Sequence, residues 1–248
     1  MDNYVNRVNM MNDMYRFNTA ESATVDFKLH ASKQTQWGEL MVGTDGYLAE
    51  HSSTITSPSN MMFNIKNFNQ VEDNRLGVFA QLDSNFDNHH LNVGFRLKQN
   101  NADAGEVDHH MAMMNDNIKQ LKMEFNQTDR QVSETNYDLV LNWTTALSNQ
   151  SHISIGSAIK QKAPSYQEQY LWFPMQATGG LADGRTYIGN INLESETAYQ
   201  FNLGYKHQGD KFSLSPNLFY QEIDNYIQAT PSTNMTANMV GTMMMGNT

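Results

Sequence analysis

Apolar and polar residues alternate strictly over two neighbouring segments, residues 197–207 and 211–221. In the first segment, polar or small residues separate four apolar ones, which are Tyr199, Phe201, Leu203 and Tyr205. In the second segment the apolar set is Phe212, Leu214, Leu218 and Tyr220. A period of two over about ten residues predicts a β-strand with one apolar face. Only Gln-Gly-Asp at 208–210 separates the segments, which predicts an antiparallel hairpin.

Six earlier segments show the same alternation and predict six further strands. They are residues 24–31, 37–47, 76–82, 89–98, 133–143 and 151–160. Short turns and long polar links alternate between the strands along the whole series. The predicted long links are residues 48–75, 99–131 and 161–196. Residues 1–23 and 222–248 are polar, and no strand is predicted there.

Alternating link lengths are typical of outer-membrane β-barrels, whose short turns face the periplasm and whose long loops face the cell exterior. The predicted fold is therefore all-β, an antiparallel transmembrane β-barrel segment of about eight strands with long extracellular loops. Alternating strands also build soluble β-sandwiches. Aromatic residues near strand ends, such as Tyr47, Tyr137 and Trp143, favour the barrel. Residues 118–125 alternate in part and predict a β extension above the membrane.

Composition agrees with a barrel and excludes several other classes of protein. The mean hydropathy of −0.61 is low, but a barrel strand exposes only every second residue to lipid. No apolar run approaches the length of a membrane-spanning helix. The chain has no cysteines, which excludes disulfides and thiolate metal sites. A net charge of −10 argues against a nucleic-acid partner and is compatible with attracting cations.

The chain contains 17 methionines, and most of them occur in clusters. Only Met1, Met41, Met123 and Met175 lie outside the clusters. Every cluster falls in a segment predicted to be extracellular. The clustered residues are Met10, Met11, Met14, Met61, Met62, Met111, Met113, Met114, Met235, Met239, Met243, Met244 and Met245. Methionines that fill a core would instead be scattered along apolar faces.

Residues 109–114, His-His-Met-Ala-Met-Met, are the strongest candidate for metal chemistry. Imidazole suits copper, zinc and nickel, and thioether sulfur suits Cu(I). If the segment is extended, His109, Met111 and Met113 point the same way and converge on one ion. A solvated loop with a chance histidine pair is the alternative. The predicted metal-binding residues are His109, His110, Met111, Met113, Met114, Met10, Met11, Met14, Met243, Met244 and Met245.

Other features of the sequence do not point to chemistry. His89 and His90 fall at a predicted periplasmic turn without methionine or a cluster of acids, as in an ordinary polar turn. The glycines at 179, 180 and 184 lack the Lys-Ser/Thr pair of a phosphate-binding loop and predict a flexible loop. We find no nucleophile with a supporting base and no pair of carboxylates suited to acid–base catalysis. The sequence therefore predicts that the protein is not an enzyme and holds no organic cofactor.

Two motifs in the last long link carry a family resemblance. Residues 162–170, Lys-Ala-Pro-Ser-Tyr-Gln-Glu-Gln-Tyr, resemble the segment of TonB-dependent outer-membrane receptors where a strand exits into a loop with a basic residue, Pro and Glu-x-Tyr. Residues 189–196, Gly-Asn-Ile-Asn-Leu-Glu-Ser-Glu, resemble that family's Gly-Asn-x-x-Leu-x-Pro-Glu. The chain has Lys162 where arginine is usual and Ser195 where proline is usual. Residues 171–174, Leu-Trp-Phe-Pro, and residues 177–187 are most similar to the copper-receptor branch.

The resemblance implies a receptor in the outer membrane of a Gram-negative bacterium, driven by the TonB energy-coupling complex. It implies a plugged barrel of about 22 strands, of which residues 1–248 would form part of the β-barrel domain. The plug domain and the remaining strands are then expected to lie outside this sequence. Copper ion is the expected transported substrate. The open alternatives are a receptor for an iron–siderophore or another nutrient, a surface β-barrel adhesin or structural protein, and, less favoured, a barrel enzyme.

Overall fold

A computed structural model of the protein describes residues 2–7, 15–175 and 185–245. Within these residues, 11 β-strands form one antiparallel sheet. The strands are β1 (Asp2–Arg7), β2 (Tyr15–Thr35), β3 (Gly38–Ser57), β4 (Asn60–Phe86), β5 (His89–Asp103), β6 (Asp108–His109), β7 (Val132–Ser148), β8 (Ser151–Lys162), β9 (Glu196–Gln208), β10 (Ser213–Leu214) and β11 (Asn217–Asp224). The helices are α1 (Asp116–Gln127), α2 (Tyr166–Tyr170), α3 (Met235–Met245) and a 3-10 helix, His110–Met113.

The sheet is a meander in which each long strand is hydrogen-bonded to the next long strand along the chain. Its order is β1-β2-β3-β4-β5-β7-β8-β9-β10, and β11 also pairs with β9. The short strand β6 pairs with β4. Among the described residues no ladder joins β1 to β10 or β11, so this part of the sheet is not closed. Strands lie at all eight predicted segments, the last of them divided in two, which confirms the all-β prediction.

The apolar face of the strands forms a continuous band across the sheet. One row of paired residues crosses seven strands: Ala31, Val42, Ala80, Phe95, Leu139, Ile159 and Tyr199. Side chains in this row remain exposed, for example 48% of Phe95 and 43% of Leu139. No second sheet covers the band within the described residues. An exposed apolar surface of this extent is expected against lipid, not water, so the sandwich alternative does not account for it.

The first predicted long loop is wrong, because residues 48–75 form a hairpin. Strands β3 and β4 contain 20 and 27 residues and meet at a turn formed by Pro58 and Ser59. At about 3.3 Å per residue, both strands are far longer than the hydrocarbon thickness of about 30 Å. Polar residues above the membrane break the apolar alternation without ending the strand. The hairpin therefore stands well above the lipid.

The predicted β extension at residues 118–125 is also wrong, since this segment lies in helix α1. Asn115 caps the helix by accepting a hydrogen bond from the backbone N–H of Ile118 at 3.1 Å. Ile118, Leu121 and Phe125 are buried at helical spacing, whereas Met123 is 45% exposed. A period of 3.6 residues therefore explains the apolar positions better than a period of two.

The chain also differs from the prediction at both polar ends and in its last strand. Strand β1 and the first part of β2 lie in residues 1–23, and helix α3 lies in residues 222–248. The last predicted strand is divided into β10 and β11, which both pair with β9. Pro216 lies at the division, and its carbonyl oxygen still accepts a hydrogen bond from Tyr205 N–H at 3.1 Å. Proline lacks the N–H that a continuous ladder requires.

The long connections fold together into a compact cap with its own hydrophobic core. Side chains from the hairpin β3–β4, helix α1, the segment after α2 and helix α3 form this core. Its largest fully buried side chains are Tyr170, Phe173, Ile55, Ile65, Ile118, Val71 and Val240. We refer to this unit, residues 50–72, 104–130, 164–175 and 235–244, as the cap. No helix among the described residues is long and apolar enough to cross a membrane.

Arginine on the apolar face should destabilise the sheet more than arginine on the opposite face. Phe201 and Leu203 belong to the apolar band, and Asn202 between them faces the other way. We expect Phe201→Arg or Leu203→Arg to cost about 2–4 kcal/mol near the membrane midplane, and Asn202→Arg clearly less. Urea unfolding of the complete protein in lipid vesicles measures the difference. Equal costs at the three positions would mean that the faces are wrongly assigned.

The cap should be accessible from outside the cell. The chain has no cysteine, so a single introduced thiol reports its own location. Ser59→Cys, at the tip of the hairpin β3–β4, should react with a membrane-impermeant maleimide on intact cells. Asn149→Cys, in the short turn between β7 and β8, should react only after the outer membrane is permeabilised. Labelling of Asn149→Cys alone on intact cells would reverse the proposed orientation.

Candidate functional site

Residues 109–114 lie at the edge of the cap, where a short strand changes into a 3-10 helix. His109 ends β6 and is paired with Ile65 of β4, and the 3-10 helix follows immediately. His109 is 2% exposed, whereas Met113 is 98% exposed. The prediction that His109, Met111 and Met113 converge on one ion is therefore wrong in its geometry. It assumed an extended backbone, and the helical turn directs alternate residues apart.

His109 is a buried, neutral side chain in an aromatic environment. Its Nδ1 accepts a hydrogen bond from the backbone N–H of Met111 at 3.0 Å, which caps the 3-10 helix. Its ring lies 4.5 Å from that of Phe173 and 4.7 Å from that of His110. Burial, together with the nearby His110, lowers the pKa of His109 to about 3. Its Nε2 has no hydrogen-bond partner in the described part of the chain.

His110 is more accessible than His109 and has a different set of contacts. Its Nδ1 lies 3.3 Å from the carbonyl oxygen of Asn64 on β4. Its ring centroid lies 4.4 Å from that of Phe63. Met61 and Met62 directly precede Phe63 and are 98% and 80% exposed. The tip of the hairpin therefore places two more thioethers next to Phe63 and Asn64, the β4 residues that contact His110.

Helix α3 brings a second methionine cluster to the same edge of the cap. The side-chain amide of Asn115 donates to Met243 Sδ at 3.4 Å, and that of Asn117 donates to Met239 Sδ at 3.8 Å. Met113 and Met114, both exposed, immediately precede Asn115. Residues 113–117 and 239–243 are thus neighbours in space, although they are far apart in the sequence. This contact supports the hypothesis that distant clusters meet above the barrel.

The predicted methionines differ in their surroundings. Met111 and Met244 pack partly buried against the cap core. Met113, Met114 and Met243 are exposed residues, with 98%, 79% and 43% of their surface accessible. Met10, Met11 and Met14 lie outside the described residues, as does the side chain of Met245. The glycines at 179, 180 and 184 also lie outside them.

The potential metal ligands at this edge of the cap are mostly thioethers and imidazoles. Among the described residues, no group of three or more His, Asp or Glu side chains is arranged to hold a metal ion. The acid nearest in sequence to the histidines is Asp108, which forms an ion pair with Lys122 at 2.6 Å. That contact lowers the pKa of Asp108. This edge of the cap therefore offers thioether and imidazole, and the exposed carboxylate of Asp116 at the start of α1 lies beside them.

A polar cavity below the cap is a second feature, which the sequence did not reveal. It is an open cavity of about 360 Å³ on the polar face of the sheet, and it is lined by Tyr47, Asp73, Arg75, Lys98, Glu134 and Lys162 among others. Lys98 pairs with Asp138 at 2.8 Å, and Lys162 lies 3.4 Å from Glu196. The guanidinium of Arg75 lies 4.9 Å above the Tyr47 ring. Most cations of the cavity are thus already partnered.

The two sequence motifs contact each other and hold the cap onto the sheet. Ser165 and Glu168 form a capping box at the start of α2. Gly189 N–H donates to the carbonyl of Leu171 at 2.6 Å, and Asn190 N–H donates to that of Glu168 at 2.9 Å. A Cβ at residue 189 would lie 2.8 Å from the carbonyl oxygens of Glu168 and Gln169, so only glycine fits there. The motifs are therefore structural.

Trp172 and Ser195 show how the motif segments are held in place. The indole N–H of Trp172 donates to the carbonyl of Lys66 at 3.0 Å, which joins this segment to β4. Ser195, at the position where the family usually has proline, accepts from the Asn136 amide at 2.7 Å. Its hydroxyl donates to Glu134 at 2.5 Å. The departure from the motif therefore adds hydrogen bonds between the link and β7.

The lipid-facing band, the polar inner cavity and the extracellular cap together define part of a transmembrane β-barrel with elaborate outer loops. The sequence model of the family described as "TonB dependent receptor-like, beta-barrel" matches residues 2–243. The chain therefore belongs to the TonB-dependent receptor β-barrel family, as its motifs predicted. Members of this family are outer-membrane proteins of Gram-negative bacteria and are transporters, not enzymes.

Solved structures of the same fold include receptors with different substrates in their names. The "Copper transporter OprC" matches with a TM-score of 0.62 at 16% identity, over 88% of this chain and 32% of that one. The alcaligin outer-membrane receptor FauA from Bordetella pertussis matches with a TM-score of 0.52 at 13% identity, over 92% and 33%. The siderophore receptor PirA from Pseudomonas aeruginosa matches with a TM-score of 0.51 at 11% identity, over 96% of this chain and 48% of that one.

This chain spans a third to a half of the length of these solved structures. At such low identities the likeness establishes the fold alone. No curated protein matches the sequence.

Acid should loosen the metal-free cap, because His109 must be neutral to remain in its buried position. Its pKa is about 3 in the folded cap and about 6.5 when exposed. The stabilisation is thus fully present above pH 6.5 and is lost as the pH falls from there towards 3. Hydrogen exchange of residues 107–125, corrected for intrinsic rates, should show this loss. His109→Phe keeps a ring beside Phe173 and should remove the pH dependence; an unchanged dependence would contradict the assignment to His109.

Proposed function

We propose that this chain forms part of a TonB-dependent outer-membrane receptor that imports copper. The observation that carries the proposal is the convergence of exposed methionines at one edge of the cap. Met113 and Met114 precede Asn115, and the Asn115 and Asn117 amides contact Met243 and Met239 of α3. Exposed thioethers contribute little to packing and are open to oxidation. Their concentration on the extracellular side is accounted for by capture of a soft metal ion.

The chemistry of the exposed groups favours copper over other ions. Thioether and imidazole are ligands for Cu(I), and zinc gains little from thioether. The described residues offer no cluster of three hard or borderline ligands for zinc or for iron. A thioether needs no deprotonation to bind, so capture through methionine persists in mild acid. The net charge of −10 favours the approach of cations.

The family membership supports a transport cycle for the whole receptor. In this proposal the ion is captured by the cap and passes into the polar interior of the barrel. A plug domain, supplied by the complete receptor, blocks the barrel until the TonB complex moves it. The partners of the protein are then the outer-membrane lipid, which contacts the apolar band, and the TonB complex, which contacts the plug.

Import of an iron–siderophore is the second candidate function. It is favoured by the cavity lined by Arg75, Lys98 and Lys162, because cations attract an anionic chelate. The ion pairs of Lys98 and Lys162 weaken this argument, since their charges are already compensated. The exposed methionines of the cap have no role in this alternative. A non-transporting adhesin leaves both the cavity and the methionines without a role.

Metal binding by the complete receptor tests the copper proposal. We expect Cu(I) to bind more tightly than Zn(II), measured by competition with a chromophoric chelator, and cells with the receptor to accumulate more copper than cells without it. A variant with Met114, Met239 and Met243 changed to leucine should lose at least about tenfold in Cu(I) affinity, which is about 1.4 kcal/mol.

The matched control is Met123→Leu, which removes an exposed thioether of α1 outside the clusters. This variant should bind Cu(I) as the unchanged receptor does. Equal affinity for zinc and copper, or copper uptake that does not depend on the receptor, would reject copper import. A ferric siderophore that competes for uptake would then support the second candidate.

A further inference from the structure

Helix α3 carries a row of exposed methionines along one side. Met235, Met239 and Met243 follow one another at intervals of four residues, which places them on the same face of an α-helix. They are 76%, 54% and 43% exposed. The residues that anchor the helix in the cap core, Ala237 and Val240, are buried. The row can therefore be modified chemically without removing the contacts that hold the helix in the core.

Two of these sulfurs accept hydrogen bonds from side-chain amides at the start of α1. Asn115 Nδ2 donates to Met243 Sδ at 3.4 Å, and Asn117 Nδ2 donates to Met239 Sδ at 3.8 Å. The Oδ1 atom of Asn115 accepts the backbone N–H of Ile118, so the helix cap fixes the direction in which its NH₂ group points. A thioether is only a weak acceptor. Two oriented donors are thus directed at atoms that use them poorly.

Oxidation to the sulfoxide converts these weak contacts into strong ones. The added oxygen makes the side chain polar, and it is a much better acceptor than the sulfur. Met111 and Met244 differ in this respect, because they pack partly buried against the apolar core. A sulfoxide there places a polar oxygen among apolar side chains, which disrupts packing. The structure therefore separates methionines whose oxidation the cap accommodates from methionines whose oxidation it does not.

Hydrogen peroxide is a suitable oxidant for the exposed sulfurs. It is small and neutral, so the exposed carboxylate of Asp116, between the two asparagines, does not repel it. A sulfur lone pair attacks one oxygen of the peroxide, the S–O bond forms and the O–O bond breaks. The leaving oxygen takes the electron pair of that bond and the proton of the transferred oxygen, and departs as water. Sulfur is oxidised by two electrons, and the peroxide is reduced by two.

The amide contacts also make the oxidation stereoselective. A thioether sulfur has two lone pairs, and oxidation at one or the other gives the two sulfoxide epimers. At Met239 and Met243 one lone pair is engaged by an amide N–H. Peroxide therefore reacts at the other lone pair, which favours one epimer. Rotation about the flexible terminal bonds of the side chain then brings the new oxygen to the amide.

We propose that Met239 and Met243 are sites of methionine oxidation, and that the amides of Asn117 and Asn115 bind the resulting sulfoxides and keep α3 on α1. The modification belongs to the outer surface of the cap and does not rest on the proposed copper import. In both oxidation states the contact between the two helices is retained.

Graded oxidation of the complete, copper-free receptor with hydrogen peroxide tests this inference. Mass spectrometry of peptides should show Met239 and Met243 oxidised before Met111 and Met244. Reductases that each act on one sulfoxide epimer should reveal an excess of one epimer at the two α3 sites. Met123, which is exposed and has no hydrogen bond to its sulfur in the described part of the chain, should give nearly equal epimers.

Two variants serve as controls for each other. Asn115→Asp retains an oxygen to cap α1 but removes the donor to Met243, and Asn117→Asp removes the donor to Met239. Each variant should lose the epimer excess at its own methionine and keep it at the other. Hydrogen exchange of residues 235–245 should be unchanged by oxidation of the parent receptor and faster after oxidation of either variant, at peroxide doses that leave Met111 and Met244 unoxidised.

The parent receptor alone decides the inference if a variant does not fold. Nearly equal epimers at both α3 sites, or faster hydrogen exchange of α3 after their oxidation, would overturn it. Neither result bears on copper import, which metal binding and uptake decide separately. A receptor that binds no copper would in turn leave the oxidation sites standing.

Discussion

The structure depends first on the need to pair every backbone N–H and C=O group inside lipid. Water is absent there, and an unpaired group costs several kcal/mol. Strands β2 to β9 meet this need by continuous antiparallel ladders between sequence neighbours. The ladders also fix the register, so that the row from Ala31 to Tyr199 presents apolar side chains to the membrane. The charged pairs, such as Lys98 with Asp138, are held on the opposite face by the same register.

A second hydrophobic core, separate from the lipid-facing band, holds the extracellular connections together. It divides the methionines into two groups. Met111 and Met244 pack against the core, whereas Met61, Met113 and Met239 remain exposed around it. The core therefore holds in place the backbone segments that carry the exposed thioethers. The family motifs contribute to this support, because the segment around Glu168 is hydrogen-bonded to Gly189 and Asn190.

The sequence predicted the strands and short turns well, because every second residue of a lipid-facing strand is apolar and this alternation is visible in a short segment. It underestimated β3 and β4, whose polar upper halves are held by pairing and not by an apolar pattern. It missed α1, since Leu121, Met123 and Phe125 satisfy a period of two as well as a helix. The positions of Met239 and Met243 beside Asn117 and Asn115 depend on helix packing, which no local pattern encodes. The different contacts of His109 and His110 depend on single hydrogen bonds and on packing between distant segments.

The composition of the cap core has a consequence for the order of folding. Its members extend from Ile55 in β3 to Val240 in α3, so completing it closes a loop over most of the chain. Contacts of such high sequence separation form slowly, because the entropy of loop closure is lost before the contacts compensate for it. The ladders, in contrast, join sequence neighbours and grow hairpin by hairpin. We therefore expect the cap to be completed after the ladders have formed, so that its outer surface closes last.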